Sequence, residues 1–287
     1  MISAWTLGRG RLFEPAPLCL VGIVNVTPDS FYDGGRHSDA AAAVAHGLTL
    51  LEQGAGMLDL GAESTRPGAQ PLGATLDEAC AEEESRLLPV LEGLRRARPE
   101  AILCVDTCHA RTARRSLELG ADVINDVSAW ERDPSLLDVL VDLKPGYVLM
   151  HGGDKGTSWS NGQGPVLDRV LQFFEQRLDS LIKAGLPEDR IVLDPGIGFG
   201  KTPQECLDLL RNTHRLQAFG RPLYVGLSMK SLFGVLLGLP LEERGAVTDA
   251  AVAMLAERGV AYHRVHNVRS AAAALTVRQW FGSKGEA

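Results

Sequence analysis

"AILCVDTCHARTARRSLELGADVIND" runs from Ala101 to Asp126. It opens on a short apolar run, Ala101–Asp106, without polar alternation. Its middle, Ala110–Leu119, has apolar residues at helical spacing and stops at Gly120. It closes on a second apolar run, Asp122–Asn125. A strand buried on both faces of a parallel sheet reads as a continuous apolar run. A glycine just past a periodic stretch is a helix stop. The stretch is therefore a strand–helix–strand unit, and each strand ends on a carboxylate or an amide.

The same unit repeats outward in both directions. Apolar runs recur at Leu18–Asn25, Met57–Gly61, Gly146–Met150, Arg190–Asp194, Pro222–Gly226 and Val260–Val265. Helix patterns fall between and after them, at Asp39–Gln53, Leu76–Arg98, Pro134–Leu143, Pro165–Ala184, Pro203–Thr213, Leu232–Leu237, Gly245–Glu257 and Val268–Phe281. Gly54, Gly185 and Gly259 stop helices as Gly120 does. Eight strands, each followed by helix, predict an α/β fold, a single-domain (β/α)8 TIM barrel; an open doubly wound sheet is the competing arrangement. Residues 1–16 read as an N-terminal extension, a short hairpin before a barrel spanning 17–287.

Composition agrees. The 287 residues are 45% hydrophobic and 23% charged, which fits a globular domain rather than a disordered or membrane chain. A net charge of −7 argues against nucleic-acid or anionic-membrane partners. Leu18–Val24 is too short to span a bilayer and Met1–Gly10 has no signal-peptide core, so a cytoplasmic protein is expected. Cys19, Cys80, Cys104, Cys108 and Cys206 form no CxxC pair and read as free thiols. Cys104, Cys108 and His109 make only an incomplete metal pattern.

In a barrel of this kind the chemistry sits at the C-terminal ends of the strands. Here those ends carry Asn25, Glu63 with Thr65 and Arg66, Asp106, Asn125 with Asp126, Met150 with His151, Asp194, Ser228 with Lys230 and Ser231, and Arg264 with His266. Any one of them is explained as a turn residue; all together predict one polar mouth. Asp106, Asp194 and Asn125 suit a heterocycle with a donor-rich edge, because a carboxylate accepts two hydrogen bonds side by side. Lys230 adds a donor, and Met150 and Phe199 offer apolar faces to a flat ring. Arg66, Arg264 and His266 form a cationic set suited to phosphate. Asn25 is an oxygen ligand for a Mg²⁺ ion bridging phosphates. The ligand these describe is a flat, polar-edged ring joined to a diphosphate. "GIGFGK" (Gly196–Lys201) has neither Walker nor Rossmann spacing and reads as glycines in a tight turn. The polar stretch His151–Pro165 is long enough to be a functional loop.

With these residues in hand, the chain resembles the dihydropteroate synthase family. The matching stretches are "GIVNVTPDSFYDGG", "GAESTRPGA", "CVDT", "VINDVS", "VLMH", "LDPGIGFGK", "SMKS" and "RVHN", in the family's order from Gly22 to Asn267. The resemblance implies condensation of 7,8-dihydropterin pyrophosphate with 4-aminobenzoate, giving 7,8-dihydropteroate and pyrophosphate for folate synthesis, with sulfonamides as competitors of the aminobenzoate. It implies that Asp106, Asn125, Met150, Asp194, Phe199 and Lys230 hold the pterin. Asn25, Thr65, Arg66, Arg264 and His266 would hold the diphosphate with Mg²⁺, and Phe31, Pro67, Phe199 and Ser231 the aminobenzoate. Asp33, Lys230 and Arg66 would be catalytic, with Thr27–Gly35 as a lid over the site. The expected partners are these small molecules and a second copy of the chain, with Leu232–Leu239 as a weak apolar candidate for the contact.

Three departures bear on that expectation. Met229 stands where the family usually has an Arg, Asn267 where it has an Asp, and the loop after His151 lacks the family's usual continuation. Two other readings stay open. One is a pterin-binding homologue that no longer catalyses the condensation. The other is a methyltetrahydrofolate-dependent methyltransferase, which would lack the lid and "STRPG" stretches present here.

Overall fold

The computed structural model describes residues 4–15, 18–26, 36–63, 73–152 and 164–282, and the side chains of all of these except 36–38. A short antiparallel hairpin comes first, β1 (Trp5–Thr6) with β2 (Leu12–Phe13). Then strands alternate with helices: β3 (Cys19–Asn25), α1 (Arg36–Glu52), β4 (Met57–Gly61), α2 (Leu76–Ala97), β5 (Leu103–Asp106), α3 (Ala110–Glu118) and β6 (Val123–Asp126). The chain continues through α4 (Leu136–Leu143), β7 (Gly146–Met150), α5 (Val166–Ala184), β8 (Ile191–Asp194), α6 (Pro203–Arg211), α7 (Thr213–Gln217) and β9 (Tyr224–Gly226). It ends with α8 (Ser231–Leu237), α9 (Arg244–Glu257), β10 (Tyr262–Val265) and α10 (Val268–Gly282).

The strands β3 to β10 form one parallel sheet in the order β8-β7-β6-β5-β4-β3-β10-β9. A parallel bridge from Leu193 to Leu223 brings β8 back to the start of β9 and closes the ring. This is the expected (β/α)8 barrel and not the open sheet. Side chains alternate between two cores. Val21, Cys104, Val123, Val148, Val192 and Tyr224 fill the interior. Leu60, Val105, Ile124, Leu149 and Leu193 point outward and pack on helix residues such as Leu91, Leu140 and Phe174. Two-sided burial is why the strands read as unbroken apolar runs.

The N-terminal hairpin plugs the lower end of the barrel. Trp5 is buried edge-on against Tyr262, ring centroids 5.1 Å apart, and its indole N–H donates to the Arg190 carbonyl at 2.8 Å. Asp122, fully buried, holds three guanidinium groups there, from Arg9 at 2.8 Å, Arg11 at 3.0 Å and Arg95 at 2.8 Å. The opposite rim is left for chemistry.

Two strands, Met57–Gly61 and Gly146–Met150, have the expected limits, the other elements differ from expectation by no more than three residues at either end, and one helix is split. The expected Pro203–Thr213 is α6 and α7, parted at Asn212, whose side-chain amide donates to the Asp208 carbonyl at 2.7 Å. Gly54, Gly120, Gly185 and Gly259 all take the left-handed conformation that ends a helix. The five cysteines are buried and none forms a disulfide. Among the described residues no helix is long and apolar enough to cross a membrane.

Candidate functional site

Strand register assembles the site. Asn25 pairs with Gly61, Gly61 with Asp106 and Asp106 with Asn125 on neighbouring strands. Met150 pairs with Asp194, and Gly226 with Arg264. Each of these positions is the last or last-but-one residue of its strand, so their inward side chains share one mouth. Contacts that skip strands confirm the direction. Arg264 on β10 reaches across to Asp106 on β5, Nη2 to carboxylate oxygen 3.0 Å. Its Nε donates to Asp59 on β4. Asn125 on β6 donates from Nδ2 to the same Asp59 oxygen at 3.2 Å.

Arg264 is thus placed differently from expectation. The sequence grouped it with a cationic set; the structure seats its guanidinium between Asp59 and Asp106, on the same Asp59 oxygen that takes the Asn125 amide. Two carboxyl groups share a single guanidinium. Burial pushes the Asp106 carboxyl up to about 7, with the neighbouring Asp59 adding to the shift and Arg264 opposing it. Burial likewise raises Asp194 to about 6, against the hydrogen bond from the Gly196 N–H at 2.7 Å and the charge of Lys230. Lys230 is lowered to about 8 by burial and then by Arg264. Its ammonium lies over the Phe199 ring, 4.2 Å from the centroid, a cation–π contact that ties the segment after β8 to the segment after β9.

Asn25 is half-buried at the end of β3, and Met150 is buried at the end of β7. His266 accepts or donates at Nδ1 with Ser228 Oγ, 2.9 Å away, and its backbone N–H meets the same hydroxyl at 3.2 Å. Ser231 is exposed at the start of α8. Phe31, Asp33, Thr65, Arg66, Pro67 and most of the segments 27–35 and 151–165 read as lid and loop lie outside the described residues.

Two strand-end residues do not face the mouth, which corrects the expectation that all eight ends converge. His151 follows Met150 and so points outward; its ring packs edge-on to Phe173 with centroids 4.8 Å apart, and burial lowers its pKa to about 3. Asp126 follows Asn125 and caps the turn beyond it, accepting from the Ser128 and Trp130 N–H groups at 2.8 and 2.6 Å and from the Tyr147 hydroxyl at 3.0 Å. Cys104 and Cys108 also part company: Cys104 lies in the barrel interior, so no joint site with His109 forms. Cys108 and His109 meet Glu63 instead, but the Arg132 guanidinium already lies 3.4 Å from Glu63 and 3.7 Å from Cys108.

"GIGFGK" is a tight turn, as read. Gly196 has φ +66° and a Cβ there would lie 2.1 Å from the His151 carbonyl oxygen. The Lys201 ammonium donates to the carbonyls of His151, Gly196 and Phe199, each at 3.0 Å. The residue that the sequence reading missed is Asp59. It was absorbed in the apolar run Met57–Gly61, and the available signal was an acid at an inward position of a buried strand.

Known proteins give the arrangement its context. The model of a family described as pterin binding enzyme matches residues 21–266. A probable bifunctional folylpolyglutamate synthase/dihydropteroate synthase of Halobacterium salinarum is 38% identical over 97% of this chain, which spans about a third (33%) of that relative's length. Dihydropteroate synthase of Clostridium beijerinckii is 34% identical over 87% of this chain and 88% of its own. The solved dihydropteroate synthase of Xanthomonas albilineans with 4-aminobenzoic acid superposes with a TM-score of 0.87 at 39% identity, covering 98% of this chain and 100% of the other.

Proposed function

This chain belongs to the pterin-binding enzyme family, and from that premise we infer that it condenses 7,8-dihydropterin pyrophosphate with 4-aminobenzoate to 7,8-dihydropteroate and pyrophosphate. The observation that carries the reading is the inward cluster of Asp106, Asn125, Asp194 and Lys230 at one rim, backed by Arg264. Two buried carboxylates and an amide match the donors of a pterin edge, and Lys230 matches its acceptors. Met150 and Phe199 offer the ring its apolar faces.

The chemistry follows from charge. The bond between the pterin methylene carbon and the diphosphate oxygen breaks, and diphosphate leaves with the electron pair. The methylene cation is stabilised by electron release from the dihydropterin ring. The arylamine nitrogen, a neutral nucleophile, forms the new C–N bond and then loses a proton to solvent. On the family resemblance, Asp33 faces the cation, Arg66 and Thr65 hold the departing diphosphate with His266, and Phe31, Pro67 and Ser231 line the aminobenzoate slot. Arg264 offers phosphate only the part of its guanidinium that Asp59 and Asp106 leave over.

A magnesium ion fits the residues present. The Asn25 amide oxygen is a hard donor, half-buried at the rim, and Mg²⁺ characteristically takes one or two such protein ligands and completes its shell with phosphate oxygens and water. Bound there with Asn25, it would neutralise charge on the leaving diphosphate.

A homodimer is part of the reading. Val235, Leu237 and Leu241 near α8, Met254 on α9 and Trp280 and Phe281 on α10 are exposed on adjoining elements. An exposed apolar area of that kind marks an interaction surface, and a second copy of the chain is the occupant that fits.

The test is pyrophosphate release from dihydropterin pyrophosphate and Mg²⁺, with and without 4-aminobenzoate. Release that requires aminobenzoate and yields dihydropteroate is the expected result. Saturable pterin binding without product would favour the non-catalytic homologue. Met229 is the feature that keeps that second reading alive: it removes a cation, and it holds a left-handed backbone at φ +61°. Restoring activity with Met229→Arg would then locate the defect.

A further inference from the structure

We propose that Asp59 is a positioning residue that sets which way the Asn125 amide faces, and so decides that the pocket meets the pterin edge with an acceptor at that point. The proposal rests on the pterin-site reading above.

Asp59 lies one inward step below the rim. Its strand neighbour is Cys104, whereas Gly61, two residues on, is level with Asp106. Gly61 carries no side chain to roof it over. Asp59 is fully buried, and one of its oxygens takes both the Arg264 Nε–H and the Asn125 Nδ2–H. A carboxylate salt-bridged to a guanidinium has acceptors only. The amide beside it must therefore turn its NH₂ inward, since the reverse orientation would set two acceptors against each other. The consequence is visible at the other end of the amide: Asn125 Oδ1 is buried and has no partner among the described residues. A buried acceptor without a donor costs free energy until one arrives. A ligand N–H or NH₂ supplies it. The same carboxylate holds Arg264 by its Nε, which leaves Nη2 aimed at Asp106. One buried acid thus orients two of the groups that line the mouth, without reaching the ligand itself.

Four proteins test this by calorimetric titration with the dihydropterin diphosphate: wild type, Asp59→Asn, Asn125→Ala and the double variant. Each single change is expected to weaken binding about 10-fold, the loss of the one hydrogen bond from the ligand to Asn125 Oδ1. The double variant should be weakened about 10-fold as well, not about 100-fold, because both changes remove the same interaction. The KM for 4-aminobenzoate should stay within about threefold of wild type, a split that general destabilisation would not produce. Multiplying factors, or wild-type binding by Asp59→Asn, would overturn the proposal. Neutron diffraction from wild-type crystals provides a reading that needs no variant. Deuterons on the Asn125 nitrogen that faces Asp59 are expected; an amide oxygen facing Asp59 would overturn the proposal. If wild-type protein neither binds nor turns over the pterin, the functional reading fails, while the neutron result still decides the amide.

Discussion

Asp106 and Asp194 end β5 and β8 in surroundings that penalise charge, and their protons are therefore held above the usual carboxylate range, to about 7 and about 6. The sign of the consequence can be worked out. An unfolded Asp titrates near 4, so between about pH 4 and 7 the folded protein binds more protons than the unfolded chain. Stability of the ligand-free protein should then fall as pH rises through that window. Ligand binding should do the reverse, because a donor-rich ring edge selects the ionised carboxylates. Affinity for the dihydropterin is expected to rise from about pH 5.5 to a maximum near pH 7.5, with proton release on binding near pH 6.5. It should fall again as Lys230, lowered to about 8, loses its charge. Asp59, Arg264 and Glu63 also bear on Asp106, so the midpoint belongs to the cluster and not to one acid. Titrations in buffers of different ionisation enthalpy would check this, and flat affinity across the range would refute it. Asp106, Asn125, Asp194 and Lys230 were legible as candidates because each ends a strand or stands in the turn just after one. Asp59 was not, because nothing in "MLDLG" says that an inner layer of the barrel needs an acceptor.

At the scale of the element, the segment after β8 is the most constrained part of the rim. Gly196 closes within 2.1 Å of the His151 carbonyl oxygen at the position a Cβ would take, with φ +66°. Lys201 gathers three carbonyls around one ammonium. Together they hold Phe199 under Lys230. Gly196→Ala adds a clash and a left-handed strain at once, and should lower stability by about 2–4 kcal/mol. Denaturant unfolding measures it, and a loss under about 1 kcal/mol would show that the turn relaxes. The glycines were readable in sequence as a turn. The role of Lys201 was not, because its partners come from two segments, one of them some fifty residues away in the chain. Alternation explains the other surprises. His151 and Asp126 sit one residue past Met150 and Asn125, so their side chains leave the mouth for the helix layer and the turn.

For the whole molecule, closure is what turns eight strand ends into one site. The ring shuts through Leu193 and Leu223, and the hairpin with Trp5 fills the lower end. Part of the described surface left uncovered is apolar. Trp280 is 70% exposed, Phe281 87% and Val235 69%, on α10 and α8, which both pack against α9. Trp280→Asp with Val235→Asp should convert a dimer to monomer in sedimentation equilibrium. A wild-type protein that sediments as a monomer would remove the dimer from the reading.

By itself the sequence determined the order of strands and helices, the parallel sheet and the rim on which chemistry would lie. Those are local properties: apolar runs, helical periodicity, glycine stops and polar residues at strand ends are all written within a few residues of where they act. Only the tertiary structure decided which strand ends face inward, that Arg264 joins the acids, and that Asp59 underlies them both. These depend on register and on contacts between strands up to 205 residues apart in the chain, and burial then sets the charge that each group can carry.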